Sequence, residues 1–569
     1  MYIQYCTSKQ NGKSYTYPLL CKKYREAGKI KTEVIANLTK FPKEVVSAIA
    51  GALKNGKDIL VSLKDLVIEK SIDYGFVYVL IEIMNRLRIT EVLEKMMKEQ
   101  AKYVKLMIIG KIVTKGSKLC IFNWINRNEP IAQKLGIDLK TLKLDTLYSA
   151  LGDLSNVQNK IERKWNIYHK SEKDEIFLYD ITSSYLEGNQ NALAAFGYNR
   201  DGKKGKMQIV IGLITNKYGF PLSIEVFEGN TTDQTTVINQ LKKIKNDFGA
   251  TNVVFVGDRG MKIRYNLDQI DENEKQGIQF ITALSIDEIR CLINQDSIQI
   301  SLFSKDLVEI EDQDLRYVLC SNPDLEKEQS ETRFALKAKF EDNLHEILLS
   351  YNNRKQKNEN NKIRLSQNDK NKKLVIQFSE KQLDGYKYRV RKALEKYQMQ
   401  SFFNIEISQY EFTVSFDFDK YTQARQLDGK YVIVTNVSKE KMDKETIRAE
   451  YKNLKHVEHA FRDMKTMQLD IRPIHHINEN TTRGHVFMCM FAFAIIRDLE
   501  QHIFPWLKLK NKSQNEQLSF QDIEEELKMI KLNILRINNN HKEVIFTEFS
   551  SRQKEIFSQL EIKPESMLL

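Results

Sequence analysis

Short apolar runs in the middle of the chain predict a set of β-strands. The runs IFLYDIT (residues 176–182), MQIVIGLIT (207–215) and FPLSIEVF (220–227) have the length and composition of buried strands. The tight KYG turn between the last two runs predicts an antiparallel pair. Residues 233–248 follow with helical spacing, and the run NVVFVG (252–257) predicts a fourth buried strand.

The pattern after this fourth strand completes one fold unit. A helix around residues 262–272 and a strand at residues 278–284 follow it. Three strands, a helix, a strand, a helix and a strand in this order are typical of an α/β layout with a mixed sheet. We therefore predict that the central part of the chain is an α/β domain.

The rest of the chain has other patterns. Residues 1 to about 40 are β-rich, with an Asn-Gly hairpin signal in KQNGK, and residues 42–170 have helical spacing. Between residues 286 and 428, short alternating segments (LRYVLC, KLVIQFS, IEISQ, EFTVSFDF) surround the polar tract YNNRKQKNENNKIRLSQNDKNKK, which predicts a β-rich insertion with a flexible loop. The strand KYVIVTN (430–436) follows, and residues from about 500 predict two or three helices and one strand, EVIFTEF.

These patterns divide the chain into five predicted regions. Two of them form the α/β core and flank the insertion, and the others are a mostly helical N-terminal region and a helical C-terminal tail. Their bounds are 1–170 for the N-terminal region, 171–285 for the first part of the core, 286–428 for the β-rich insertion, 429–500 for the second part of the core and 501–569 for the tail.

Composition and charge narrow the class of protein. The 569 residues carry a formal net charge of +12, which favours a polyanionic partner such as nucleic acid. The six cysteines are scattered without a CxxC pair, as in a reducing cytosol, and the N-terminus has no signal-peptide pattern. The longest apolar run, VFMCMFAFAII (486–496), is far shorter than the roughly 20 residues of a membrane span, and it predicts a buried core helix and no membrane partner.

The stretch YKNLKHVEHAFRDMK (451–465) predicts a single amphipathic helix. Glu458 lies beside its apolar stripe. At roughly 100° per residue, Tyr451, Arg462 and Lys465 fall with it in one sector of about 60°. A solvated helix face and a face directed at a functional site both fit this pattern. The stripe itself consists of Leu454, Val457, Phe461 and Met464.

Three acidic residues stand at positions where a carboxylate needs an explanation. Asp180 lies inside an apolar strand, where an unpaired carboxylate is costly to bury, and Asp258 follows the strand NVVFVG directly. If the first and fourth strands are neighbours, these two side chains lie side by side, and a helix packed across the sheet adds Glu458. Three converging carboxylates repel one another unless cations neutralise them, and oxygen-only ligands suit Mg²⁺ or Mn²⁺.

Each acidic residue alone also has a plain structural explanation. Asp180 could be a satisfied polar residue of a strand, Asp258 a turn residue and Glu458 an exposed helix carboxylate. Asp233 could cap the helix that follows it or assist the site. The order of the three carboxylates along one fold favours the common site.

The sequence leaves open the roles of seven other polar residues between residues 456 and 485. The histidines could form a zinc site, or solvate the helix and meet phosphate. The other residues could line a DNA path or serve as caps and surface groups. The histidines are His456, His459, His475 and His476, and the other residues are Arg472, Arg483 and His485.

The segments around these residues resemble a known family, the DDE transposases of bacterial insertion sequences, which have a ribonuclease-H-like core. LYDITSSYLEG, KMQIVIGLITNKYGFPLSIEVFEGNTTD and VVFVGDRGM are similar to the family's two Asp regions, and IRPIHHINENTTRGHVFMCMFAFAI is similar to the segment after its Glu helix. The helix resembles a subgroup with a Tyr-x2-Arg-x3-Glu-x6-Lys signature and a β-rich insertion. Tyr451, Glu458 and Lys465 match this signature, and Leu454 stands at the Arg position. The resemblance covers roughly residues 176–500.

The resemblance implies a fold and a site. The fold is a ribonuclease-H-like mixed-sheet catalytic core interrupted by the insertion, with a DNA-binding N-terminal region. Asp180, Asp258 and Glu458 are then the catalytic metal ligands and hold two Mg²⁺ ions, for which Mn²⁺ can substitute. The implied DNA-binding residues are Tyr451, Lys465, Arg462 and Arg259.

The resemblance also implies an activity, cut-and-paste transposition by phosphodiester hydrolysis and strand transfer. The implied partners are double-stranded DNA, as terminal inverted repeats and as target, and a second copy of the chain in a synaptic homodimer. The implied location is the bacterial cytoplasm at the nucleoid. Two alternatives stay open: a ribonuclease-H-like nuclease that cuts without joining strands, and a DNA-binding derivative without catalysis.

Overall fold

The computed structural model describes most of the chain, which separates into two compact units. One unit comprises residues 1–82 and 500–569, and the other comprises residues 83–499. The described residues are 1–10, 13–26, 28–55, 66–169, 175–188, 190–268, 276–304, 307–312, 314–368, 378–465, 469, 471–514, 517–537, 541–564 and 567.

The strands and helices are numbered here in chain order. The strands are β1 (Tyr2–Gln10), β2 (Lys13–Glu26), β3 (Lys29–Asn37), β4 (Leu66–Asp73), β5 (Glu175–Tyr185), β6 (Gln208–Asn216), β7 (Pro221–Glu228), β8 (Val253–Gly257), β9 (Ile278–Ala283), β10 (Leu307–Asp312), β11 (Leu315–Ser321), β12 (Phe403–Ile407), β13 (Phe412–Phe416), β14 (Lys430–Thr435), β15 (Lys531–Ile537) and β16 (His541–Phe546). The helices are α1 (Lys43–Asn55), α2 (Gly75–Arg86), α3 (Ile89–Met97), α4 (Ala101–Thr114), α5 (Lys118–Arg127), α6 (Glu129–Lys134), α7 (Leu144–Asn156), α8 (Gln158–His169), α9 (Asp233–Asn246), α10 (Ile263–Asp268), α11 (Ile286–Asn294), α12 (Pro323–Asn368), α13 (Glu380–Tyr397), α14 (Phe418–Gln426), α15 (Lys444–Lys452), α16 (Lys455–Lys465), α17 (Glu479–Gln514), α18 (Phe520–Lys528) and α19 (Ser551–Gln559).

An eight-stranded mixed sheet forms the centre of the larger unit. Its strand order is β10-β11-β14-β9-β8-β5-β6-β7. The pairs β5/β8 and β8/β9 are parallel, and the other neighbours are antiparallel. The predicted mixed sheet is therefore confirmed, and β5 and β8, the first and fourth strands predicted for the core, are neighbours.

Helices cover this sheet, which explains why its strands are apolar without alternation. Every residue of β8 is buried, and so are the first eight residues of β6. Helix α9 contributes Val237, Leu241 and Ile244, which recur at helical spacing and are at most 1% exposed. They join Phe177 and Phe255 of the strands in one core.

The helices between residues 83 and 169 pack in the same unit as the sheet. Trp165 of α8 is fully buried, and its indole Nε1 donates to the backbone carbonyl of Pro221 at 2.9 Å. Its ring centroid lies 5.5 Å from that of Phe220 and 5.2 Å from that of Phe491. The apolar run at 486–496 is buried in α17, as predicted, and no described helix is long and apolar enough to cross a membrane.

The insertion is more helical than its sequence pattern predicts. The segments LRYVLC, IEISQ and EFTVSFDF contribute to β11, β12 and β13, but residues 351–368 of the polar tract continue the helix α12 instead of forming a loop. The tract has no Pro or Gly, and Phe340, Ile347 and Tyr351 recur at helical spacing and pack in the same core as α13. The segment KLVIQFS lies mostly outside the described residues.

The smaller unit contains two three-stranded sheets. The predicted N-terminal hairpin is present as β1 and β2, with β3 added on the other edge of β2, and its Asn-Gly turn lies outside the described residues. The second sheet has the order β16-β15-β4. Strand β4 lies where only helices were predicted, because its partner β15 is more than 450 residues away and leaves no local signal.

Candidate active site

Two aspartates lie next to each other, Asp180 within β5 and Asp258 directly after β8. These strands are parallel, and Tyr179 of β5 pairs with Gly257 of β8. Asp180 and Asp258 are the residues that follow this pair, so parallel pairing brings their backbones together at one edge of the sheet. The side chain of Tyr451 adds a third element, because its hydroxyl donates to Asp258 Oδ1 at 3.3 Å.

The glutamate approaches from a helix that is shorter than predicted. The predicted continuous helix over 451–465 is wrong, because α15 ends before Asn453 and α16 begins after Leu454. The Asn453 amide donates to Glu450 Oε2 at 3.0 Å, which is an end-of-helix contact typical of Asn. The predicted apolar stripe is buried, and Glu458 lies exposed in the first turn of α16.

The carboxylates face a cavity of about 1120 Å³. The core side of this cavity includes Asp180, Asp258 and Glu458, with Tyr451 and Arg259. The opposite side comes from the insertion and includes residues of α12 and α14. The insertion therefore makes one wall of the cavity, and the region around the central sheet makes the other.

The surroundings of Asp180 disfavour its ionised form. Burial and, to a smaller extent, the neighbouring charges of Asp258 and Glu458 raise the pKa of Asp180 to about 7. The backbone N–H of Ile181, which donates to Asp180 Oδ1 at 2.8 Å, and the Arg200 guanidinium oppose this shift. Cations in the cavity would relieve this repulsion.

The donor set suits a hard divalent cation. Asp180, Asp258 and Glu458 offer only carboxylate oxygens, as Mg²⁺ and Mn²⁺ prefer. In the described part of the chain, no group of three His, Cys, Asp or Glu side chains is close enough to hold one ion alone.

The two basic residues predicted on the glutamate helix lie away from the cavity. Lys465 Nζ donates to Thr182 Oγ1 at 2.5 Å and to Asp201 Oδ1 at 2.9 Å, and burial lowers its pKa. Arg472 joins this cluster through an Nη1–Oδ1 contact of 2.6 Å with Asp201. Arg462 is exposed on α16, outside the residues that line the cavity.

Three of the other polar residues with open roles have partners inside the protein. Arg483 pairs with Glu479 at 2.9 Å. His476 and His485 both contact the buried Lys118, at 3.2 Å and 2.6 Å. These contacts are structural and connect α5 with α17 and the segment before it.

Sequence reasoning missed Arg200, which pairs with Asp233 on the core side of the cavity, and left Asp233 with either a capping role or a role in the site. Arg200 Nη2 donates to Asp233 Oδ1 at 2.6 Å, and both residues line the cavity. The predicted capping role of Asp233 is wrong, since Thr232 is the N-cap residue of α9 and Asp233 lies in the first turn. Arg200 lies in the polar segment GYNRDGKKGK, where no periodic pattern marks one residue.

Comparisons with known proteins identify the family. The family described as transposase DDE domain matches residues 171–495, which is more than half of the chain. The chain belongs to the DDE transposases. A second family, described as IS1634 family transposase, N-terminal domain, matches residues 3–59 of this transposase. The predicted insertion-sequence transposase, an enzyme that cleaves DNA with a divalent metal, is thereby confirmed at the level of the family.

Two further comparisons add little to this assignment. No curated protein matches the sequence. Among solved structures, the cryo-EM structure of a piggyBac transposase synaptic complex with hairpin DNA aligns with 80% of this chain and 70% of that chain, at 8% identity and a TM-score of 0.32. At that score the alignment carries no argument about the site.

Proposed function

We propose that this transposase moves its element by cut-and-paste, with Asp180, Asp258 and Glu458 as the metal ligands. The observation that carries the proposal is the parallel register of β5 and β8, which brings two carboxylates together beside the glutamate helix. The ligands would hold two Mg²⁺ ions, with Mn²⁺ able to substitute. Bound there, the ions supply Lewis-acid activation of both oxygens of an in-line displacement.

The residues of the chain then have separate tasks in two reactions at one site. Water first attacks the phosphodiester at each element end and releases a 3′-hydroxyl. That hydroxyl next attacks a phosphodiester of target DNA, without a covalent intermediate on the protein. Tyr451 and Arg259 lie at the cavity and would contact the backbone near the scissile bond. Arg462, which is exposed on α16, would contact the DNA further along this helix once the duplex is bound, whereas Lys465 is held by Asp201.

The partners of this reaction follow from its two substrates. Double-stranded DNA enters as terminal inverted repeat and as target, and two ends must meet in one complex, which favours a homodimer. The N-terminal region, 1–170, would bind the ends mainly through backbone contacts, and the net charge of +12 suits that role. The reaction would take place in the bacterial cytoplasm at the nucleoid.

Three conservative variants test the site. Asp180→Asn, Asp258→Asn and Glu458→Gln should each bind a duplex with the terminal repeat as the wild type does, and none should cut it in Mg²⁺ or Mn²⁺. Wild-type cleavage by one of them would remove that residue from the site. A strand-joining assay with pre-cut ends separates the transposase from a nuclease that only cuts. A wild type that binds DNA and yields no product in either metal would favour the silent derivative.

A further inference from the structure

An arginine without an assigned role lies on the cavity wall beside the three carboxylates. The guanidinium of Arg200 donates to Asp233 Oδ1 at 2.6 Å. The Arg200 side chain is 27% exposed and the Asp233 side chain 32%, and both line the cavity. The pair is therefore accessible to a ligand in the cavity.

The backbone at Arg200 is fixed from two sides. Its N–H donates to Ser183 Oγ at 2.9 Å, and Ser183 lies on β5 three residues after Asp180. The next residue, Asp201, has a side chain that is 2% exposed and pairs with Lys465. Since the main chain is held on the strand that carries Asp180, the guanidinium extends into the cavity from a fixed point.

The guanidinium itself is also oriented. Asp233 holds one nitrogen, and the ring of Tyr198 lies 5.8 Å from the guanidinium carbon. On the far side of the aspartate, a Cβ at Gly260 would lie 3.3 Å from Asp233 Oδ2. Gly260 follows Asp258 by two residues, so the pair lies next to the loop of the second metal ligand.

A guanidinium in this place suits a phosphate. Arginine has five N–H donors in a planar fork, and a contact with one Asp233 oxygen leaves others available to non-bridging oxygens. The charge of Arg200 already acts on Asp180, whose pKa it lowers against the effect of burial. Phosphoryl transfer is helped most by positive groups that are in place before charge develops on the phosphorus oxygens.

We propose that Arg200 is a catalytic residue that contacts the scissile phosphate, and that Asp233 is the positioning residue that orients its guanidinium. The inference rests on the proposed function, because it requires a phosphodiester at the three carboxylates. The same arginine would serve end cleavage and strand transfer, since both reactions place a phosphate there.

Single-turnover cleavage of a duplex with the terminal repeat, in Mg²⁺ and with the full chain, tests the proposal. Arg200→Ala should slow cleavage about 100-fold. Its affinity for the duplex in chelator should stay within about threefold of the wild type, as for a contact made in the transition state. Added guanidinium ion should restore part of the Arg200→Ala rate, and Arg200→Lys should cut at an intermediate rate with an unchanged melting temperature.

The positioning role of Asp233 has its own readout. Asp233→Asn should slow cleavage about tenfold, and the double variant with Arg200→Ala should be no slower than Arg200→Ala alone, because the aspartate acts only through the arginine. Guanidinium ion should leave Asp233→Asn unchanged. Additive effects of the two substitutions would overturn the positioning role.

A second arginine–aspartate pair supplies the matched control. Arg163 Nε donates to Asp247 Oδ1 at 3.2 Å, just beyond the other end of α9 and outside the cavity lining. Asp247→Asn, which breaks this pair at a residue outside the N-terminal region, should cut at the wild-type rate. The inference is overturned if Arg200→Ala also cuts at that rate, or if it is slow, melts early and is not rescued by guanidinium. A wild type that cuts no end DNA would overturn the proposed function itself, and the inference with it.

Discussion

Two groups of acidic residues lie beside the same strand, β5, and differ in how their charge is balanced. The carboxylate cavity contains Asp180 with the carboxylates of Asp258 and Glu458, and burial among them raises the pKa of Asp180 to about 7. Thr182, two residues after Asp180 on β5, contacts Lys465. This lysine pairs with the buried Asp201. We call this group, with Arg472, the Asp201 cluster.

This difference distinguishes a candidate ligand-binding site from a cluster that stabilises the fold. In the Asp201 cluster two cations satisfy one buried carboxylate, so the cluster needs no ligand and connects the end of α16 to β5. In the carboxylate cavity three carboxylates lie together, and the charge of Arg200 offsets only part of the rise in the pKa of Asp180. The metal ions of the proposed function would neutralise these carboxylates.

The largest expected effect on activity comes from removing a carboxylate of the cavity. Asp180→Asn should reduce end cleavage by at least about 1,000-fold, as for removal of a catalytic group. The folded protein should melt at or above the wild-type temperature, because the substitution removes a desolvated carboxylate and an Asn oxygen can still accept from Ile181 N–H. Cleavage assays and thermal melts measure the two effects. A melting temperature well below that of the wild type would contradict the account.

The next largest effect comes from removing the carboxylate of the Asp201 cluster. Asp201→Asn should destabilise the fold by about 3–5 kcal/mol, since it leaves buried cations uncompensated. Chemical denaturation measures this loss. The double variant Asp201→Asn with Lys465→Met should recover part of the stability, because one unpaired cation is removed with its partner. An Asp201→Asn protein as stable as the wild type would show that the cluster is not a support.

A third cluster, in which a buried lysine contacts two histidines, extends the comparison. Burial lowers the pKa of Lys118 to about 7, and it contacts His476 and His485. Between pH 7 and the ordinary value of 10.5 the unfolded chain binds one more proton than the folded chain, so stability should rise with pH across this window. Lys118→Met should flatten this rise and raise the melting temperature at pH 7, whereas the exposed Lys160→Met should change neither. A wild-type melting temperature that falls over this window would contradict the sign.

The smallest expected effect lies at the edge of the cavity. A Cβ in Gly260→Ala would lie 3.3 Å from Asp233 Oδ2, so the aspartate must move by a few tenths of an ångström. Cleavage should fall about threefold, much less than when a catalytic group is lost. Single-turnover rates with the end duplex measure the change. A loss as large as that of Asp180→Asn would mean that the glycine has another task.

Six strands of the central sheet were predictable because each is a continuous apolar run, whereas β10 and β11 lie in the segment predicted as the insertion. The same runs mark Asp180 as a carboxylate inside a strand and Asp258 as the residue after one, and their proximity follows from strand order. Arg200 and Asp233 could not be found in this way. One lies in a polar loop and the other in a helix start, and only the tertiary fold brings them together.

Other errors have the same kind of cause. The helix that carries Glu458 is broken at Leu454, although its apolar stripe continues through the break, so periodicity alone predicts one helix. The polar tract of the insertion was predicted as a loop because composition hides the apolar residues that pack α12 against α13. Both features depend on contacts that short windows of sequence do not contain.

The central claim is that Asp180, Asp258 and Glu458 hold metal ions at one site. Fe²⁺ can be exchanged for Mg²⁺ in the full chain, and hydroxyl radicals generated with ascorbate and peroxide then cut the polypeptide close to the bound iron. The account predicts fragments that end near all three carboxylates, and excess Mg²⁺ should suppress them. Cleavage centred elsewhere in the chain, or an unchanged pattern in the Asp258→Asn variant, would contradict it.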